Sequence, residues 1–188
     1  MELPLFPLSS LVLPEGRISL RLFERRYLDM VAAAMRSGDG FGICLISEGE
    51  ETGKAAVPHP LGTLVHISDW DQGDDGLLHI TCEGRQLFRI LNTRVADNQL
   101  LIGEVALQAA EPPTPLAQEF GTLAGLLGQL LDDLRDYVSY PAPRLDDAVW
   151  VSNRLIELLP LQAQDKILLL QMQSSGDRLR LLKQLRFA

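Results

Sequence analysis

The chain has 188 residues, of which 46% are hydrophobic and 22% charged, and this composition excludes an intrinsically disordered chain. Its formal net charge of −8 argues against a general phosphate-backbone binder, which would need a basic surface, and so against nucleic acid as a partner. The absence of an apolar run of membrane-spanning length and of a signal-peptide pattern at the start leads us to expect a cytoplasmic protein without a membrane partner.

The first segment predicts a strand, a turn and a second strand. Pro4 and Pro7 cannot donate hydrogen bonds to a ladder, so the lead-in around them fits an edge strand or an extended segment. Pro-Glu-Gly at 14–16 predicts a turn. Apolar residues then alternate with others through 18–22, which is the period of a half-buried strand.

Helical spacing begins at Phe23 and predicts a helix over 23–36. Gly38 is a natural C-terminal stop for this helix. The residues expected on its buried face are Phe23, Tyr27, Met30, Val31, Ala34 and Met35.

The region from 41 to 107 predicts a succession of short strands. These strands are expected at 41–47, 62–70, 77–83, 85–95 and 99–107, the third and fourth being separated by Gly84. A long polar loop is expected at 48–60 and a hairpin connection at 71–76. Short strands at close spacing with one early helix favour a barrel-like or sandwich lobe.

The two cysteines are expected to be buried thiols. Cys44 and Cys82 each lie in an apolar, strand-like run, where cysteine usually acts as a small hydrophobe. We prefer this interpretation to a disulfide or a metal ligand.

Composition turns helical after residues 111–115, and four helices are predicted there. The first carries an apolar stripe from Leu116 to Val138 and ends at Pro141. The second is capped by Asp146 or Asp147 and ends at Pro160. The third spans 162–172, and the fourth runs from about 174 through Phe187. The predicted organisation is therefore a β-rich lobe at 1–111 and a helical lobe at 116–188.

Several motifs resemble one known family. The clusters PLFPL at 4–8, PEG at 14–16 and FERRY at 23–27 are similar, in order and spacing, to the opening of the Lon protease N-terminal domain, or LON substrate-binding domain. Gly84, Arg85 and the Phe-Arg-Ile run at 88–90 match the family further along. Leu-Leu-Pro at 158–160 is loosely similar to its helical lobe.

This resemblance implies an α+β fold, in which an N-terminal PUA-like β-barrel or pseudo-barrel with one early helix precedes a C-terminal helical bundle. It also implies a stand-alone binding part, because 188 residues leave no room for the ATPase and serine–lysine peptidase modules of the full Lon protease. The leading hypothesis is thus a non-catalytic domain that recognises unfolded or extended polypeptide. A protease or chaperone is a further candidate partner, and the oligomeric state stays open.

No catalytic residue, metal site or cofactor is predicted. The loop at 49–55 fails as a nucleotide-binding P-loop, because its glycine spacing is one residue short and Ala55 stands where the motif needs Ser or Thr. The stretch from Asp69 lacks the ligands of a calcium loop, and the three histidines share no metal-ligand spacing. A small hydrolase assembled from scattered residues is the least favoured alternative.

Two sets of residues are candidate binding sites. Phe6, Phe23 and Tyr27 are candidates to line an apolar groove between the two lobes, with Glu24 and Arg26 as a polar pair. The alternative is that the aromatic residues are core and the polar pair is a salt bridge tying helix to sheet. For a PUA-like module that binds RNA or a small ligand, the candidate cluster is Arg85, Arg89 and Arg94.

Overall fold

The structure, a computed structural model, describes residues 1–137, 140 and 142–185. The chain divides into two compact units, Met1–Ala109 and Ala110–Ala188. The elements of the first unit are β1 (Glu2–Leu8), β2 (Arg17–Leu22), α1 (Arg25–Ser37), β3 (Phe41–Glu48), β4 (Val57–Gln72), β5 (Leu78–Val95) and β6 (Leu101–Leu107). Those of the second unit are a 3₁₀ turn (Gln118–Phe120), α2 (Gly121–Asp133), α3 (Ala148–Leu158), α4 (Ala163–Gln171) and α5 (Ser175–Gln184).

The first unit is a closed barrel with one additional strand. Its strand order is β2-β5-β4-β3-β1-β6, and β6 also pairs with β5, so that five strands form a ring and β2 lies outside it. Only β1 and β3 run parallel; the other neighbours are antiparallel. The predicted α+β class, with a barrel-like lobe followed by helices, is confirmed.

Strand β5 is one long strand, and the prediction of two strands separated at Gly84 is wrong. The strand runs through Gly84, which donates to the carbonyl of Gly16 at 2.9 Å and accepts from the amide of Glu15 at 2.8 Å. A Cβ at Gly84 would overlap the carbonyl oxygen of Leu13. This glycine therefore permits a close approach of the turn before β2 to β5, and does not end the strand.

Strand β4 begins at Val57, earlier than the expected start at residue 62, so the predicted loop over 48–60 is shorter than expected. Pro58 lies in the strand opposite Ile46, where two register shifts interrupt the ladder between β3 and β4. Proline is tolerated at such irregular positions because few main-chain donors are required there.

Helix α1 starts at Arg25, so the expectation that Phe23 lies on its buried face is wrong. Phe23 is 59% exposed, and Met35, at the margin of the apolar stripe, is 41% exposed. The other expected positions are buried, namely Tyr27, Met30, Val31 and Ala34. Gly38 ends the helix with a φ of 76° and donates to the carbonyl of Ala34 at 2.9 Å.

Two apolar layers stabilise this unit. One fills the barrel and consists of Leu3, Leu5, Cys44, Phe88, Leu101 and Val105. The other lies under α1 and includes Phe6, Tyr27, Met30, Val31, Phe41, Ile43, Val65, Ile80 and Cys82. Strand alternation produces both layers, since Leu3 and Leu5 point into the barrel while Phe6 and Leu8 point toward the helix.

The cysteine thiols give a direct test of this burial. Cys44 and Cys82 are buried and free, and burial raises the pKa of each to about 12. Because the thiolate is the reactive form, we expect neither to react with a thiol reagent such as DTNB in the native protein at pH 8. Both should react once urea unfolds the chain. Stoichiometric labelling without denaturant would contradict the burial of both strands.

The second unit is a set of short helices held by apolar packing and buried ion pairs. Asp147 caps α3 by accepting from the amide of Val149 at 3.0 Å. Arg178 is bound to Glu111 at 2.6 Å, which ties the segment before the helices to α5. The predicted helix limits at Val138, Pro141 and Phe187 lie outside the described residues. None of the helices in the described part of the chain has the length and hydropathy needed to span a membrane.

Candidate functional site

A groove of 690 Å³ opens in the first unit beside the C-terminal half of α1. Its walls come from α1, the start of β1, the entry into β3, two residues of β4 and the turn before β6. The residues that line it are Met1, Glu2, Leu3, Pro4, Asp29, Met30, Ala33, Ala34, Ser37, Gly38, Asp39, Gly40, Phe41, Leu64, His66, Asn98 and Leu100. All belong to Met1–Ala109.

The groove exists because the start of β1 is not paired with β3 and because several lining residues have short side chains. The ladder between β1 and β3 begins only at Leu5 opposite Gly42, and Pro4 has no N–H to extend it. Ala33 and Ala34 leave space on the helix side. Gly40 passes so close to β4 that a Cβ there would overlap the carbonyl oxygen of Val65. Small residues thus keep an apolar surface open.

The titratable side chains that line the groove are acidic apart from one imidazole. Glu2, Asp29 and Asp39 line it together with His66, and no lysine or arginine is among the described lining residues. Glu2 pairs with Arg94 at 3.2 Å. No group of side chains able to hold a metal occurs among the described residues.

Four of the five sequence-predicted peptide-site residues come together at the N-terminal end of α1. The rings of Phe6 and Tyr27 stack at 3.8 Å, with the Arg26 guanidinium 4.5 Å from the Tyr27 ring centre. Arg26 pairs with Glu24 at 3.1 Å and donates to the carbonyl of Gln99 at 2.9 Å. Burial raises the pKa of Tyr27 to about 12. Phe23, the fifth residue, is exposed.

This cluster does not line the groove but contacts residues that form its walls. Phe6, Arg26 and Tyr27 are buried, so their side chains present little surface to a ligand. Met30 belongs to the same apolar layer as Phe6 and Tyr27 and also lines the groove. Arg26 holds the carbonyl of Gln99, in the turn that supplies the groove residues Asn98 and Leu100.

The three candidate arginines do not form one patch. Arg85 and Arg94 are nine residues apart on β5, which corresponds to about 30 Å along an extended strand. Arg85 pairs with Glu83 at 3.1 Å and Arg94 pairs with Glu2. Arg89 is exposed between them. The spacing and the two acidic partners do not favour a phosphate-binding surface.

Sequence reasoning did not identify most of the groove. Its walls come from five separate stretches of chain, and none carries a recognised binding motif. The available signal was the Ala-Ala-Ala run at 32–34 followed by Gly38 and Gly40, which leaves little side-chain volume at the end of a helix.

Comparison with known proteins establishes the family. The profile of the ATP-dependent protease La (LON) substrate-binding domain matches residues 2–185. The chain belongs to the LON substrate-binding domain family. The resemblance seen in its N-terminal motifs is therefore confirmed, and the match is to the binding domain of that protease.

Solved structures of LON domains have the same fold. The chain is similar to the Lon N-terminal domain protein from Xanthomonas campestris, with 42% identity, a TM-score of 0.80 and 97% of each chain covered. It is also similar to the N-terminal domain of the Mycobacterium avium complex Lon protease, with 20% identity and a TM-score of 0.61. That alignment covers 97% of this chain and 96% of the other, and it shows likeness of fold. No curated protein matches the chain.

Proposed function

We propose that this LON domain recognises unfolded or extended polypeptide noncovalently and that the groove beside α1 holds apolar side chains of that polypeptide. The groove is the observation that carries the proposal, since its 690 Å³ lies within the range of about 300–1,000 Å³ typical of ligand pockets. Family membership supports polypeptide as the ligand.

The expected affinity is modest. Full burial of one leucine- or phenylalanine-sized side chain contributes about 1.5–3 kcal/mol. Two or three such side chains contribute about 3–9 kcal/mol in total. Association and the ordering of an extended chain cost at least about 4 kcal/mol, so the expected dissociation constant is roughly 0.1 mM or higher. Weak binding of this kind suits a domain that must release its polypeptide. In the proposed role, the bound polypeptide passes to a separate protease or chaperone.

Filling the groove should weaken binding. Ala33 lines the groove and is exposed, so Ala33→Phe adds a ring to the groove without entering the core. We expect the dissociation constant for fluorescein-labelled, reduced and carboxymethylated α-lactalbumin, a permanently unfolded polypeptide, to rise about tenfold, equivalent to about 1.4 kcal/mol. Fluorescence anisotropy measures this change.

Met35→Phe is the matched control. Met35 lies on the same helix, is exposed and does not line the groove. It should bind as the wild type does. Equal affinities for the wild type and Ala33→Phe would remove the groove from the proposal. Failure of the wild type to bind the unfolded polypeptide would refute the proposed function itself.

A further inference from the structure

Strand β2 has one unpaired edge. It pairs only with β5, in an unbroken antiparallel register from Arg17 opposite Glu83 to Leu22 opposite Leu78. The amide of Gly84 donates to the carbonyl of Gly16. This bond shows that the even-numbered residues of β2 direct their main-chain groups toward β5. Main-chain groups alternate in direction along an antiparallel pair. Those of Arg17, Ser19 and Arg21 therefore point away from β5.

These outward groups have no partner in the described part of the chain. No hydrogen bond there, outside the ladder with β5, involves the main chain of Arg17, Ser19 or Arg21. The β2 edge, defined by these three residues, thus presents donors and acceptors at every second residue. Ser19 and Arg21 are exposed.

Of the usual protections of a free strand edge, β2 has only charged side chains. Proteins protect such edges with proline, a bulge or charged side chains. The strand contains no proline, and its register is unbroken. Arg17 pairs with Glu83 on β5 at 3.9 Å and Arg21 with Asp75 at 2.8 Å. Both ion pairs draw the long side chains toward β5 or the hairpin that precedes it.

We propose that an extended polypeptide segment adds to the β2 edge as a further antiparallel or parallel strand, an inference that rests on the proposed function. Another extended main chain can hydrogen-bond to donors and acceptors that are spaced two residues apart, whatever side chains it carries. This recognition suits a domain that binds unfolded chains of many sequences. Phe23, which follows β2 and is 59% exposed, supplies an apolar contact beside the added strand.

Two substitutions at one position test the edge. Ser19→Pro removes the outward N–H of β2 and leaves the donors that face β5 intact. Ser19→Ala removes the same hydroxyl, which lies 3.5 Å from that of Thr81, but keeps the N–H. We expect Ser19→Pro to weaken binding of the labelled α-lactalbumin at least fivefold and Ser19→Ala to leave it unchanged. Circular dichroism reports whether each variant is folded.

N-methylated peptides test the same edge with the wild-type protein. An eight-residue Thr-Val repeat carrying four N-methyl groups at alternate residues keeps one hydrogen-bonding edge and should bind. The same peptide with four consecutive N-methyl groups loses donors on both edges and should not bind. Equal binding of the two peptides would overturn the inference, even if Ser19→Pro does not fold.

The other outcomes are distinguishable. If Ala33→Phe weakens binding and Ser19→Pro does not, strand addition fails while the proposed function stands. If sedimentation shows self-association that Ser19→Pro abolishes without loss of polypeptide binding, the edge belongs to a second copy, and the inference is overturned. If the wild-type protein binds no unfolded polypeptide, both proposals fail together.

Discussion

Phe88→Ala is expected to lower the free energy of unfolding by about 3–5 kcal/mol. Phe88 is fully buried in the barrel, where Gly42 and Gly62 leave the space that its ring occupies. Its Cζ would lie 2.6 Å from a Cβ at Gly42 and 2.5 Å from one at Gly62, so these neighbours have no side chain to fill a cavity. Since domains are typically stable by about 5–15 kcal/mol, this loss is large. Urea unfolding followed by circular dichroism measures it.

Phe23→Ala is the matched control, because it deletes the same atoms at a position that is 59% exposed. We expect this variant to stay within about 0.5 kcal/mol of the wild type. Comparable losses for the two variants would contradict a barrel interior centred on Phe88. The two variants also distinguish an effect on stability in the barrel core from an effect on binding at the β2 edge, where Phe23 is proposed to contact the polypeptide.

Local patterns predicted the elements of the chain well where one physical rule dominates. The stripe of Tyr27, Met30, Val31 and Ala34 follows from helical spacing, and the end of α1 follows from Gly38. The buried strand at Phe41–Glu48 follows from its continuous apolar run. The fold class followed from these patterns together with the family motifs.

Non-local contacts explain the two strands whose limits were mispredicted. Gly84 was interpreted as an interruption, whereas it admits the backbone of the turn before β2. Pro58 indicated a loop, whereas a bulged ladder opposite Ile46 accommodates it. In both cases the deciding neighbour belongs to another strand or turn, and the local pattern around the glycine or the proline does not show it.

The same limitation applies to the groove. The structure brings the motif residues Phe6, Glu24, Arg26 and Tyr27 together, and a role for them in binding stays a prediction. The groove itself depends on the missing pairing between β1 and β3 near Pro4, and this is a property of the closed sheet. Apolar periodicity identifies what is buried, but it does not identify where packing leaves a gap.

Arg26→Met is expected to lower the free energy of unfolding by about 3–5 kcal/mol, because removing one partner of a buried ion pair leaves the other without compensation. The Arg26 side chain is 4% exposed and Glu24 is 21% exposed. The substitution leaves the Glu24 carboxylate without this guanidinium and removes the hydrogen bond to the carbonyl of Gln99. Urea unfolding of the variant beside the wild type measures the loss.

Arg25→Met is the control on the adjacent residue. The Arg25 side chain is 88% exposed and pairs with Asp29 one turn along the helix. Exposed pairs of this kind contribute about 0.3–0.5 kcal/mol. If Arg26→Met kept wild-type stability but lost polypeptide binding, Arg26 would be a ligand contact and the structural interpretation would be wrong. A large loss of stability, with unchanged affinity in the folded fraction, assigns Arg26 a structural role in holding the turn before β6.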